Sequence, residues 1–252
     1  MKDNIKSVQG NVKSRSKPLR HFLWALYFFG LLIASIFIAW GTMRETNYLF
    51  PYAYRLLNIA DTVTIYGPEN RFRKNFEQTS DAERFIIFSQ IVEAVHNNGK
   101  GLMGITYHDK SGNVIDTFLT AAEIKHLQDV AKLFNLLEYA GWISLLCPAL
   151  LFYLYKSKTE IPKLRHVMAS ALSGIAALTL LTVLIGPTRI FYAIHEHIFP
   201  PGHQWFFYYQ DSLMTTLMQA PNLFGYIGAW IGLFATLLLC GLITLTYGVY
   251  RK

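Results

Sequence analysis

The chain has 252 residues, 52% of them hydrophobic and 15% charged, which is too little charge for an ordinary soluble domain. Its apolar residues gather into uncharged blocks, each near the ~20 residues that a helix needs to cross a bilayer, so a water-soluble enzyme is excluded. The net charge of +7 follows from basic clusters beside these blocks, which reads as a topology signal and excludes nucleic acid as a partner.

In chain order, residues 1–21 form a basic tail with six Lys/Arg against the single acid Asp3. Phe22–Trp40 follows as nineteen residues without a charge, and no small-residue cleavage site precedes Arg44. Residues 22–43 are therefore expected to be an uncleaved first transmembrane helix. Residues 44–135 read as a small α+β domain. Ser80-Asp81-Ala82-Glu83 is a capping box that opens an amphipathic helix to His96, with Phe85, Phe88 and Val92 on one face, and Asn97-Asn98-Gly99 stops it. Gly104–His108 and Val114–Leu119 alternate like strands, and the turn-rich 109–113 joins them as a β-hairpin. Thr120-Ala121-Ala122-Glu123 is a second capping box, whose helix is expected to run through His126 into a second span at 136–155. Pro148 is expected to kink that span. Region 44–79, with Tyr52, Tyr54, Tyr66 and Pro68, carries no decisive pattern.

A basic turn at 156–165 (Lys156, Lys158, Lys163, Arg165) leads to a third span, 166–187, and residues 223–250 make a fourth, long enough to tilt. Positive residues stay on the cytoplasmic side, so both termini are expected inside, with 44–135 and 188–222 outside in a multi-pass cell-membrane protein. Small residues (Gly228 and Gly232; Ala169, Ser173 and Ala177) suggest faces where helices of the bundle pack closely. The fold class expected is mainly α: a four-transmembrane-helix bundle with an extracytoplasmic α+β domain between spans 1 and 2, and an aromatic, histidine-rich outer loop between spans 3 and 4. Cys147 and Cys240 both fall in apolar blocks, which argues against a disulfide and against a thiolate nucleophile. No span carries a mid-membrane charge of the kind a transporter uses.

The stretch 189–221 concentrates His195, His197, His203, Glu196, Asp211 and a dense set of aromatics, too many for disorder. Glu123, His126 and Asp129 are spaced i, i+3, i+6, so neighbouring pairs share a helix face. His126 lies on the same side of the membrane as His195, and the two can converge at the lipid interface. His197 and His203 read as bystanders. Trp205 and the aromatics after it form an interfacial belt or line an acyl-chain groove. Asp129 and Asp211 either orient the histidines or are solvated. His195-x-His197 with His203 or His126 offers enough imidazoles for a metal, but there is no HExxH and no trusted spacing, so neither metal nor cofactor is expected.

AEIKHLQDVAKLF (122–134) resembles the E-I-x-H-x-x-D-V segment of the bacterial lipoprotein intramolecular transacylases, Lit, and IHEHIFPPGHQW (194–205) is similar to that family's Phe-His, Phe-rich turn and Trp. In this chain Ile194 replaces the Phe, and Pro200-Pro201 lengthens the turn. The resemblance implies an acyltransferase that moves the sn-2 acyl chain of a diacylglyceryl-cysteine to the same cysteine's α-amino group. It implies catalytic His126 and His195, with His197, Glu123, Asp129, Trp205 and Asp211 as supporting or alternative residues. The partners it implies are membrane phospholipid and the diacylated lipoprotein N-terminus. The competing reading is a non-enzymatic membrane protein whose outer domain binds a partner.

Overall fold

The computed structural model describes residues 2–155 and 160–250, and side chains within 19–154 and 160–250. In order the elements are α1 (Lys2–Glu45), α2 (Phe50–Leu56), α3 (Ile59–Tyr66), α4 (Asp81–His96), β1 (Thr106–His108), β2 (Val114–Thr117), α5 (Ala121–Tyr155), α6 (Leu164–Ile185), α7 (Pro187–Ile198), α8 (Leu213–Met218) and α9 (Asn222–Tyr250). Among the described residues, four segments are long and apolar enough to span a bilayer: Leu19–Glu45, Ala121–Leu154, Leu164–Ile185 and Asn222–Tyr250. In the second, charges crowd the first turns (Glu123, Lys125, Asp129, Lys132) and end at Glu138, so its hydrocarbon-spanning part is the later portion. The third stops at Ile185, two residues before the expected boundary. Gly186 takes φ +93 and Pro187 starts a new helix there. Lys156 and Lys158 lie outside the described residues.

The chain forms two compact units. The first comprises 1–39, 139–178 and 233–252. Its core joins Trp24, Tyr27 and Leu31 of α1 to Leu239, Ile243 and Tyr247 of α9. Apolar burial drives little association in lipid, so close packing and interhelical hydrogen bonds matter more. The Tyr27 and Thr246 hydroxyls bond at 2.6 Å. Close approach uses glycines that the sequence pattern did not single out. A Cβ at Gly30 would lie 2.6 Å from the Pro148 ring, and one at Gly141 would lie 2.1 Å from the Phe37 ring. Pro148 is accommodated inside α5, which continues through it. The expected small-residue faces do not serve this purpose: Ala169, Ser173 and Ala177 are exposed, and the Cβ positions of Gly228 and Gly232 face open space. Both cysteines are free.

The second unit comprises 40–138 and 179–232. Region 44–79, where local pattern was silent, folds through aromatic packing. Phe50 is fully buried and stacks on Phe88 of α4 at 3.8 Å. Arg84, 5% exposed, is satisfied by Thr79, Tyr54, Asp81 and the Glu77 carbonyl, so its buried charge is not stranded. The buried stripe of α4 is Arg84, Ile87, Phe88, Ile91 and Val95; Phe85 and Val92 only flank it, so the core face is rotated from the one expected. Ser80 caps α4 by accepting from Glu83 N, but the Glu83 carboxylate bonds His108 of β1 instead of closing the box. The hairpin is antiparallel, pairing Thr106 with Thr117 and Tyr107 with Asp116, with a bulge before His108. The second box does close: Thr120 N donates to Glu123 Oε2 at 2.6 Å and Glu123 N to Thr120 Oγ1 at 3.4 Å. Residues 188–222 are more than a loop, because α7 and the fully buried α8 flank an extended, aromatic 199–212 segment.

These contacts predict an asymmetry between glycines. Gly141→Ala should lower the melting temperature of the detergent-solubilised protein, since overpacking against Phe37 costs about 1–3 kcal/mol. Gly232→Ala, which meets open space, should leave it unchanged or slightly higher. Equal melting temperatures for both variants would refute this packing.

Candidate active site

The closed capping box fixes where α5 begins. Glu123 has no exposure, and its Oε1 accepts from Ser212 Oγ (2.5 Å) and Met214 N (3.4 Å), which ties the start of α8 to the start of α5. One turn later is His126, 8% exposed, so it is not a solvated surface histidine. His195 lies on α7. Its Nδ1 is 2.7 Å from the Phe191 carbonyl, which can only accept, so Nδ1 carries the proton and Nε2 keeps a free lone pair. His197 is about 200° further round the helix. It is exposed and bonds the Ala193 carbonyl.

His126 and His195 face one cavity of about 450 Å³. Their ring centroids are 6.2 Å apart, and no hydrogen bond joins the rings, so a bound group can lie between them. Phe199 (4.7 Å) and Phe207 (5.9 Å) pack against His126, while Phe191 (3.9 Å) and Trp205 (5.5 Å) pack against His195. Further in, the walls are apolar side chains of α4, α5 and α9. Burial pulls His126 down from 6.5 to about 4, and a charge on His195 would push the same way, with Asp129 opposing. Burial also lowers His195, against the hydrogen bond to the Phe191 carbonyl. Both imidazoles are therefore neutral at pH 7. Each can accept a proton; the His195 N–H is committed to the Phe191 carbonyl, while the neutral His126 ring also has an N–H to donate.

The profile of the family described as "Lipoprotein intramolecular transacylase Lit" matches residues 21–220. The chain belongs to this family. It is thus a membrane-integral acyltransferase, and the reading as a non-enzymatic binding protein falls. Among solved structures, it is similar to the in meso structure of the integral membrane protein Lit from Bacillus cereus with a histidine-to-arginine mutation (TM-score 0.63, 16% identity, 96% of this chain and 95% of that one). A second in meso structure of Bacillus cereus Lit gives TM-score 0.63 at 17% identity, covering 92% of this chain and 94% of that one. At such identities the likeness concerns the fold. No curated protein matches the chain.

Within this Lit-family fold the other expected site residues separate. Trp205 lines the cavity beside His195. Glu123 is a structural anchor, because its carboxylate is occupied by Thr120, Ser212 and Met214. Asp129 bonds neither catalytic candidate: it accepts from His203 Nδ1 at 2.5 Å and Lys132 Nζ at 3.0 Å, so His203 ties the turn after α7 to α5. Asp211 pairs with Arg71 at 3.2 Å and is absent from the cavity wall. Among the described residues, no three His, Cys, Asp or Glu side chains converge as a metal site.

Sequence reasoning missed a second polar group in the wall. Trp40 Nε1–H donates to the Tyr48 oxygen at 2.9 Å, leaving the Tyr48 hydroxyl to donate to His96 Nε2 at 3.0 Å. Burial pulls His96 down to about 4, with Arg44 adding to the effect, and raises Tyr48 to about 12. Tyr48 sits in a left-handed turn, Asn47–Leu49, all three at φ 51–54, which non-glycine residues rarely adopt. These residues are too far apart in sequence for any local pattern to join them.

The buried imidazoles make stability pH-dependent. Unfolded, His96 and His126 titrate near 6.5; folded, near 4. Between those values the unfolded chain binds more protons, so stability is full above about pH 6.5 and falls as pH drops toward 4. A His96→Gln/His126→Gln variant should lose less melting temperature than the wild type between pH 7 and 4.5. Parallel declines would refute the assignment.

Proposed function

We propose that this Lit-family chain transfers the sn-2 O-acyl chain of a diacylglyceryl-cysteine lipoprotein to the α-amino group of that same cysteine, with His126 and His195 as its acid–base pair. What carries the reading is the apolar cavity in which two neutral imidazoles, buried His126 and half-buried His195, face each other. The nucleophile and the acyl donor both arrive with the substrate, so the protein needs no serine or cysteine nucleophile. Holding amine and ester together supplies rate through effective molarity.

In this reading the ester carbonyl lies between the rings and an acyl chain runs along the apolar wall. The α-amine, with a free pKa of ~7.7–8.0, must be neutral to attack. Its nitrogen bonds to the ester carbon while His195 Nε2 takes the departing proton. The oxyanion that forms accepts from the His126 N–H and from the Trp205 indole N–H, donors in a dry site where they count for most. The C–O bond then breaks, and an imidazolium returns a proton to the glycerol oxygen. The product is an amide and a free sn-2 hydroxyl, and the protein ends with its protons as it began.

For this chemistry to act on exported lipoproteins, both termini lie in the cytoplasm and the cavity opens on the outer side, with the domain boundaries given by the charge pattern. Cysteines introduced at positions 111 and 203 should then label from outside intact cells with an impermeant reagent, and one at position 163 should not. Labelling at 163 would reverse the orientation and remove the proposal.

The reaction is read by mass spectrometry of a lipoprotein's N-terminal peptide, following the acyl group from glycerol to nitrogen. His126→Ala and His195→Ala should each reduce the rate by about 10²–10⁴-fold while the protein still folds and inserts. His197→Ala should stay near wild type, because its ring faces away from the cavity. Full activity in both of the first two variants would sink the mechanism, and loss in His197→Ala alone would mean that the wrong histidine carries it.

A further inference from the structure

A second cavity, of about 420 Å³, lies inside the first compact unit, walled by α1, α6 and α9. Phe28, Leu32, Ile175 and Ile243 supply its apolar surface, and His21, Pro162 and His166 stand at one end. That end is built. The Tyr247 hydroxyl donates to the Pro162 carbonyl at 2.5 Å, Ile161 N donates to the Tyr250 oxygen at 3.3 Å, and Arg20 pairs with Glu160 at 3.4 Å. The Lys163 carbonyl accepts from His166 N and Val167 N, so this lysine begins the turn whose next residues line the cavity.

Charge and apolar surface are therefore arranged in one direction. Arg20, Lys163 and Arg165 are the chain neighbours of the lining residues His21, Pro162 and His166, and among the described residues Glu160 is the carboxylate paired there, with Arg20. Apolar side chains continue from there along the spans. Trp24, 4% exposed, also lines the cavity, and its indole N–H has no acceptor among the described residues. A buried donor without a partner costs about 1–3 kcal/mol.

We propose that this cavity is a binding site for one anionic glycerophospholipid. Its phosphate lies against Arg20, Lys163, His21 and His166, one acyl chain lies along Phe28, Leu32 and Ile175, and its ester carbonyls bring acceptors to a wall whose indole donor lacks one. A soluble anion leaves the apolar wall uncovered, and a zwitterionic lipid sets its own cation against three basic residues. Basic pockets between membrane helices suit an anionic headgroup for this reason. The site is independent of the transacylase cavity and of the reading given to it.

The test uses the purified full-length protein in detergent, with native mass spectrometry of lipid retention. Phosphatidylglycerol should be retained over phosphatidylcholine of the same chains by on the order of tenfold. Arg20→Gln with Lys163→Gln should reduce retention of phosphatidylglycerol to that of phosphatidylcholine. Glu160→Gln, at a residue whose side chain is 88% exposed, should strengthen the preference by freeing Arg20. Val167→Trp should displace both lipids with every charge in place. In the unmodified protein, raising salt from 0.1 to 0.5 M should shrink the preference, which needs no variant to fold. Equal retention of the two lipids, a preference indifferent to salt and to the charge substitutions, or displacement by inorganic phosphate would each overturn the proposal.

Discussion

Glu123 holds the second unit together. Its carboxylate has no exposure, yet both oxygens are engaged, by Thr120 N on one side and by Ser212 and Met214 on the other. A buried carboxylate is tolerated only when so satisfied, and removing its partners would leave an uncompensated charge. The same group therefore starts α5 and pins residues 212–214 to it. That pinning keeps the 199–212 segment, with Phe199, Trp205 and Phe207, around His126 and His195. Asp129 repeats the device one helical turn beyond His126, through His203. The two carboxylates on either side of His126 thus position the wall, and neither bonds the imidazole of His126 or of His195.

This division explains what could be read from the sequence. The spans, the hairpin and the Thr120–Glu123 capping box are local patterns, written in runs, alternation and three-residue spacings, and they appear where expected; the Ser80 box forms only its serine half, because the Glu83 carboxylate goes to His108. His126 and His195 stood out because each sits in a short motif beside an apolar block. Partners set by tertiary packing were not legible. Glu123 and Asp129 belong to the motif of His126, which invites a catalytic reading, but their ligands lie 89 and 74 residues away. Similarly, Gly228 and Gly232 have the spacing of a packing motif, while the span glycines in close contact among the described residues are Gly30 and Gly141, which have none. Spacing records which residues can share a face; it does not record what that face meets.

Region 44–79 illustrates the same limit. Its short helices follow left-handed residues at Leu49, which disfavours that conformation, and Asn58, which tolerates it, and are held by Phe50 on Phe88 and by Tyr54 with Arg84. One product of this packing is the Trp40–Tyr48–His96 chain in the cavity wall. Tyrosine and histidine both keep their neutral forms there, so the wall gains polar groups without gaining a charge that would draw water in.

The proposed chemistry turns on keeping water from the ester. An ester held open to attack by an amine is equally open to water, and bulk water is abundant enough to win unless it is kept out. A charged base at the ester would bring its own hydration. In the proposed mechanism, histidines whose pKa values burial has pushed down would avoid this, since they enter the site neutral and become charged only while they hold the amine's proton. Their weakened basicity would cost little, because the proposed mechanism passes that proton on to the glycerol oxygen within the same site. In that mechanism a stronger, solvated base in place of His195 would turn a transacylase toward a hydrolase, and Phe199, Trp205 and Phe207 would contribute to selectivity as the imidazoles would to rate.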